Sequence, residues 1–327
     1  MFRFMTMLHS GHRRNPCVGF RMQALTLCIV LAVGEHTRPQ QFSIKTQKDI
    51  AQERHLIDVA EREHLPDAQI GYLWGRLASD YAGQANFARA EDASFRSLRL
   101  LRNAPEAQKS YATLLDNLGV LYLAYNRRAE AEQYLTRGFA ARRKQDDIAA
   151  LGVSQVHLAE LALGGHKFKR AENIAAEAQA NLTAAGDSGR VGLIGALVTL
   201  AYARCKQHKC AEGLRDAEDA MDLARLFYPA DSLPAGHVLM AIGFARWKTG
   251  DSEEAERRML QGVHIITTQN APGAPNSRYA LLEYRDFLKA MHRSLDVERI
   301  DDQLAKATPQ PCANCAVSVN NLSNALR

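Results

Sequence analysis

The chain has 327 residues, 46% of them hydrophobic but only 7% aromatic, with 24% charged and a formal net charge of +5. Four arginines (Arg3, Arg13, Arg14, Arg21) fall in residues 1–34, where no acidic residue stands, so the rest of the chain carries +1 (5 − 4). A nucleic-acid face gathers Lys and Arg on one side, whereas Arg127-Arg128 and Arg142-Arg143-Lys144 sit among Glu130, Glu132, Asp146 and Asp147; no nucleic-acid partner is expected.

Residues 1–34 have the layout of a signal peptide. Arg13, Arg14 and Arg21 precede the apolar run Ala24 to Val33, and Ala32-Val33-Gly34 supplies a small-x-small cleavage site. The run is too short for a membrane span, which needs about 20 residues. A periplasmic or secreted bacterial protein is therefore expected, or a cytoplasmic one if the leader is instead a short buried helix. Residues 35–45 read as a linker. Over 46–68 the spacing of Ile50, Leu56, Ile57 and Ala60 predicts an amphipathic capping helix.

From there the chain repeats itself. Ala78 is followed by Ala90, Gly119 by Ala131, Ala159 by Ala171, Ala201 by Gly213 and Gly243 by Ala255, each pair twelve residues apart and each first member preceded by Leu or Ile. A third small residue (Ser97, Gly138, Ala178, Ala220, Gly262) stands seven positions after the second, and successive units are 41, 40, 42 and 42 residues apart. Small residues recurring with that period mark two helices that approach closely, unit after unit. Lys248-Thr249-Gly250-Asp251 reads as the turn between them, a glycine ending one helix and an acid capping the next. Units are expected to start near 71, 112, 152, 194, 236 and 278 and to fill 69–307. The sixth carries Arg285 and Val297 in the two slots, suiting a terminal unit whose outer face meets water.

These units resemble the tetratricopeptide repeat (TPR): Tyr81, Phe87 and Ala90 follow Trp74, and Tyr122 and Ala131 follow Leu118-Gly119. The 40–42-residue period, with proline-containing loops at Phe227-Tyr228-Pro229 and Ala271-Pro272-Gly273, is most similar to the kinesin-light-chain kind. The resemblance implies an all-α, right-handed superhelical solenoid of about six antiparallel hairpins, and a non-enzymatic scaffold that binds a protein or peptide segment. In that family the first helix of each hairpin lines the concave groove. The matching stripe here is Val156, Glu160 and Leu163, then Val198, Tyr202 and Cys205, then Met240, Phe244 and Trp247, and last Leu282, Asp286 and Lys289. An apolar or amphipathic segment is the expected ligand. The competing reading is that Phe244 and Trp247 pack on a neighbouring first helix.

Candidate chemistry is sparse. Cys312 and Cys315, in a tail over 308–327, form a Cys-x-x-Cys that suggests a disulfide or, in a second alternative, a thiol redox or metal-binding role. Cys205, His208 and Cys210 are three metal-ligand types within six residues, but a structural zinc site needs a fourth. His208 occupies the turn slot of Gly250, so packing or a local disulfide is the simpler reading. No helical zinc-protease motif, phosphate-binding glycine loop or nucleophile elbow is present. No catalytic residue, metal or cofactor is expected. A peptide or ligand sensor acting through a partner protein is the remaining alternative.

Overall fold

The six turns at which the chain reverses within a hairpin share one backbone device. Ala85, Asn126, His166, His208, Gly250 and His292 all have positive φ, between 56° and 94°. The residue after each sends its N–H back to a carbonyl five residues earlier, as in Lys209 to Arg204 (2.9 Å) and Asp251 to Arg246 (3.0 Å). This is the left-handed helix stop. Only one of the six is glycine; the other five hold a conformation that costs an L-residue about 1 kcal/mol.

The structure, a computed structural model, describes residues 47–270 and 273–306. The leader, the linker and the Cys312–Cys315 tail lie outside the described residues. Among those described there are thirteen α-helices and no strand. Helix α1 is Gln47–Arg62. Six hairpins follow: α2 (Asp67–Gly83) with α3 (Phe87–Leu101), α4 (Gln108–Ala124) with α5 (Arg128–Arg142), and α6 (Ile148–Gly164) with α7 (Phe168–Ala184). The last three are α8 (Arg190–Cys205) with α9 (Cys210–Phe227), α10 (Leu233–Lys248) with α11 (Ser252–Gln269), and α12 (Pro275–Ala290) with α13 (Ser294–Lys306). Each hairpin begins three or four residues ahead of the unit start drawn from the small-residue pattern. The proteins' own caps explain one side of this: Asp147 accepts from Ala150 N–H (3.0 Å) and Ser232 from Ala235 N–H (3.4 Å), so α6 and α10 start there.

The small slots are the hairpin seam. A Cβ on Gly119 would lie 2.6 Å from Leu135 Cγ, and one on Gly243 2.6 Å from Met259 Cγ. On Gly213 it would meet the Ala201 carbonyl oxygen at 2.6 Å. Ala159 and Ala171 are fully buried. In the sixth hairpin the slot residue Arg285 stays partly exposed and pairs with Asp301 (3.0 Å), as a terminal unit permits.

Consecutive hairpins are tied by a recurring clasp. A glutamate one residue after the second seam position meets a cation at the next hairpin's turn: Glu91 with Arg127 (3.3 Å), Glu172 with Lys209 (3.3 Å), and Glu256 with Arg293. Tyr122 and Tyr284 donate their hydroxyls to Glu91 (2.6 Å) and Glu256 (3.3 Å). Between units 2 and 3, Ser154 Oγ donates to buried Asp116 (2.5 Å), and burial pushes that carboxyl up to about 6. Helix α1 covers unit 1 with Ile50, Ile57 and Ala60, while Glu53 binds Arg76 (2.6 Å). Leu56, expected on the covered face, is 44% exposed instead: it stands one residue before Ile57, about 100° round the helix from it.

Candidate binding surface on the first helices

The first helices α6, α8, α10 and α12 stack beside one another, and aromatic rings run along the stack. Tyr202 lies 5.2 Å from Phe244, Phe244 5.9 Å from Trp247, and Trp247 5.7 Å from Phe287, between ring centroids. Much of the stripe expected to line the groove is consumed by that packing. Val156, Tyr202, Met240 and Phe244 are buried, with 5, 7, 2 and 3% of their surface exposed. Leu163, Val198 and Trp247 are half-buried against the same core. Asp286 and Lys289 are exposed. Val156, Tyr202, Met240 and Phe244, expected as ligand contacts, are thus taken up by packing: Phe244 meets Tyr202 on the neighbouring first helix, and Met240 lies against Gly262 on the second helix of its own hairpin. Trp247 packs on a neighbouring first helix through Phe287 and keeps part of its surface open.

What remains open lies chiefly one residue further round. Tyr202 donates its hydroxyl to Glu283 (3.0 Å), joining α8 to α12 across the unit between them. A contact that skips a unit arises only on the inside of a curve, so Glu283 marks the inner face. Tyr279, one turn before it, is 56% exposed and feels the charges of Glu283 and of Glu160 on α6. Glu160, from unit 3, and Glu283, from unit 6, thus both lie within electrostatic reach of Tyr279. His237 on α10 shares the slot of Tyr279, one repeat earlier.

The charges there are unbalanced. Glu160 forms no ion pair among the described residues, and burial pushes its carboxyl up to about 7. Burial likewise raises Glu283, to about 8; the Tyr202 hydrogen bond and Lys206 pull it down, and Asp286 pushes it up. His237 is held below the usual imidazole range by burial. Both glutamates and Tyr279 keep accessible surface, so the groups remain reachable by a ligand. At the turn-side edge, Lys206 and Lys248 lie 4.7 and 5.6 Å from the Phe244 ring centroid, and Lys248 lies 3.3 Å from that of Trp247. Amine, carboxyl and aromatic groups on one concave face can orient an extended peptide.

Glu160 and Glu283 had a legible signal. Neither has a Lys or Arg three or four residues away to neutralise it, and Glu160 also sits in an apolar stretch of helix. Cys205 and Cys210 are buried in the core of units 4–6, while His208 is exposed at the turn. Among the described residues no group of three His, Cys, Asp or Glu is arranged to hold a metal, and no helix is long and apolar enough to cross a membrane. A second concavity of about 510 Å³, between α1, α2 and α3, has Trp74 and Tyr81 on its floor, and sequence reasoning gave no hint of it. Its charges are largely satisfied internally: Arg96 pairs with Asp92 (2.9 Å) and covers the Trp74 ring, and Trp74 donates to Glu61 (3.3 Å).

The fold is that of TPR-like helical-repeat solenoids. No protein-family model matches the chain, and no curated protein matches it in sequence. Solved structures do match. The apo form of RapI superposes with a TM-score of 0.62 at 11% identity, over 80% of this chain and 91% of RapI. NprR in complex with its cognate peptide NprX gives 0.59 at 13% identity, over 86% and 82%. A Rap protein complexed with Competence and Sporulation Factor gives 0.52 at 14% identity, over 80% and 77%. At these identities the likeness is one of architecture.

Proposed function

We propose that the protein is a non-enzymatic scaffold that takes a peptide or protein segment along the inner face of its first helices. The observation that carries this is the pair Glu160 and Glu283, two accessible carboxyls on a concave wall, of which Glu160 forms no ion pair among the described residues and Glu283 feels Lys206 without pairing with it. A segment with a basic side chain between apolar residues satisfies them, its apolar groups lying against Trp247, Leu163 and Val198. Structures of the same architecture solved with a bound peptide, such as NprR with NprX, support the reading. The Tyr202–Glu283 contact favours a related reading, a sensor in which the ligand competes for Glu283 and changes how units 4 and 6 meet. Export through the leader is part of the proposal; N-terminal sequencing of secreted protein is expected to begin near Glu35.

Selection from a random-peptide display library against the full chain tests the function. Enriched peptides are expected to carry Lys or Arg flanked by apolar residues, and to lose binding to Glu160→Gln/Glu283→Gln. No enrichment, or peptides indifferent to that double substitution, would place the ligand elsewhere.

A further inference from the structure

The turn of unit 4 holds two cysteines in slots that no other unit fills with sulfur. The slot of Cys205 is Ala82, Leu123, Leu163, Trp247 and Lys289 elsewhere, and that of Cys210 is Phe87, Arg128, Phe168, Ser252 and Ser294. Cys205 ends α8 and Cys210 opens α9. The turn between them, with His208 at φ 65°, is fixed by Lys209 N–H to Arg204 (2.9 Å) and His208 N–H to Cys205 (3.1 Å). It folds the thiols onto each other. Cys210 Sγ lies 3.6 Å from the Cys205 carbonyl oxygen, and Cys205 Sγ would stand 3.0 Å from a Cβ on Gly213, so both sulfurs overlie the first turn of α9. Both are free thiols. Burial, and next the adjacent Cys210 thiol, push the Cys205 thiol above its usual range.

We propose that Cys205 and Cys210 are a redox pair that closes into an intramolecular disulfide across this turn. Two S–H bonds break and one S–S bond forms; the two electrons and two protons pass to a low-molecular-weight disulfide, which leaves as two thiols. Cys205 shares a core with Tyr202, Phe244 and Trp247, so the bond would form within the packing that underlies the inner face. Thiolate is the attacking species, so oxidation speeds up as pH rises.

The test uses the full chain carrying Cys17→Ser, Cys28→Ser, Cys312→Ser and Cys315→Ser, incubated with oxidised glutathione at pH 7 and pH 9 and then alkylated. The expected product has lost about two mass units, carries no alkyl group, forms faster at pH 9, and melts about 2–5 °C higher than the dithiol. Adding Cys210→Ser is expected to abolish that product. Alkylation of both thiols after incubation at pH 9, or a retained glutathione adduct on the pair, would overturn the proposal. A lowered melting midpoint would overturn the expectation that the bond stabilises the fold.

Discussion

Glu160 and Glu172 belong to the same hairpin, twelve residues apart, and each directly follows a seam alanine, Ala159 or Ala171. Their charges are governed in opposite ways. Burial raises both, but Glu172 accepts hydrogen bonds from Lys169 (3.1 Å), Lys209 (3.3 Å) and Gln207 (3.1 Å), which outweigh burial and hold its carboxyl down to about 2. Glu160, on the inner helix, has no such partners and rises to about 7. Glutamates in matching sequence positions thus do different work: one closes the joint between units 3 and 4, the other stands as an unpaired carboxyl on a concave wall. Lys169 on the same helix lowers Glu172 most, and the next unit adds Lys209 and Gln207, whereas neither source reaches Glu160.

Disturbing the floor that both residues share should give the largest effect. Ala159→Leu forces bulk into a fully buried seam and is expected to destabilise by about 3 kcal/mol, the upper end for overpacking. An unchanged denaturant midpoint would mean that the seam is not what holds the two helices together. Next comes Trp247→Ala, which empties a half-buried site between Phe244 and Phe287 on the inner side. A loss of about 2–3 kcal/mol is expected, short of the full cost of a core aromatic; a loss near zero would show that the inner face is independent of the core.

The two glutamates should then divide the pH profile. The depressed pKa of Glu172 contributes stability that is present above the ordinary carboxylate pKa of 4.5 and is lost as pH falls through about 2. Glu172→Gln is expected to cost about 1–2 kcal/mol at pH 7 and nothing near pH 2, read from urea midpoints at each pH. Glu160 and Glu283 are raised, so their contribution is complete below pH 4.5 and lost as pH rises through about 7 to 8. Glu160→Gln/Glu283→Gln imitates the protonated pair. It should match wild type at pH 5 and exceed it by about 1 kcal/mol at pH 9, discounted because water reaches both groups. Parallel profiles for the double variant and wild type would erase the distinction between the two regions.

The repeat period, the seam residues and the hairpin turns were legible in the sequence because they are local. A small residue recurring every 40–42 positions has one structural use whatever surrounds it, and a chain reversal needs its left-handed residue within a few positions of the helix end. The inner face was legible only in outline. Val156, Tyr202, Met240 and Phe244 were placed on the right helices, but which side of each helix stays open depends on how closely successive first helices stack, and that closeness is a property of the whole array. The same limit applies to charge. Glu172 meets Lys209 from 37 residues away and Glu283 meets Tyr202 from 81, distances over which sequence pattern carries no pairing information. Sequence by itself determined that the chain stacks as helical hairpins, since that follows from side-chain size at fixed spacing. Only the tertiary structure decided which carboxyls are neutralised and which face the concave wall alone, since electrostatic pairing is set by proximity in space and not by order along the chain.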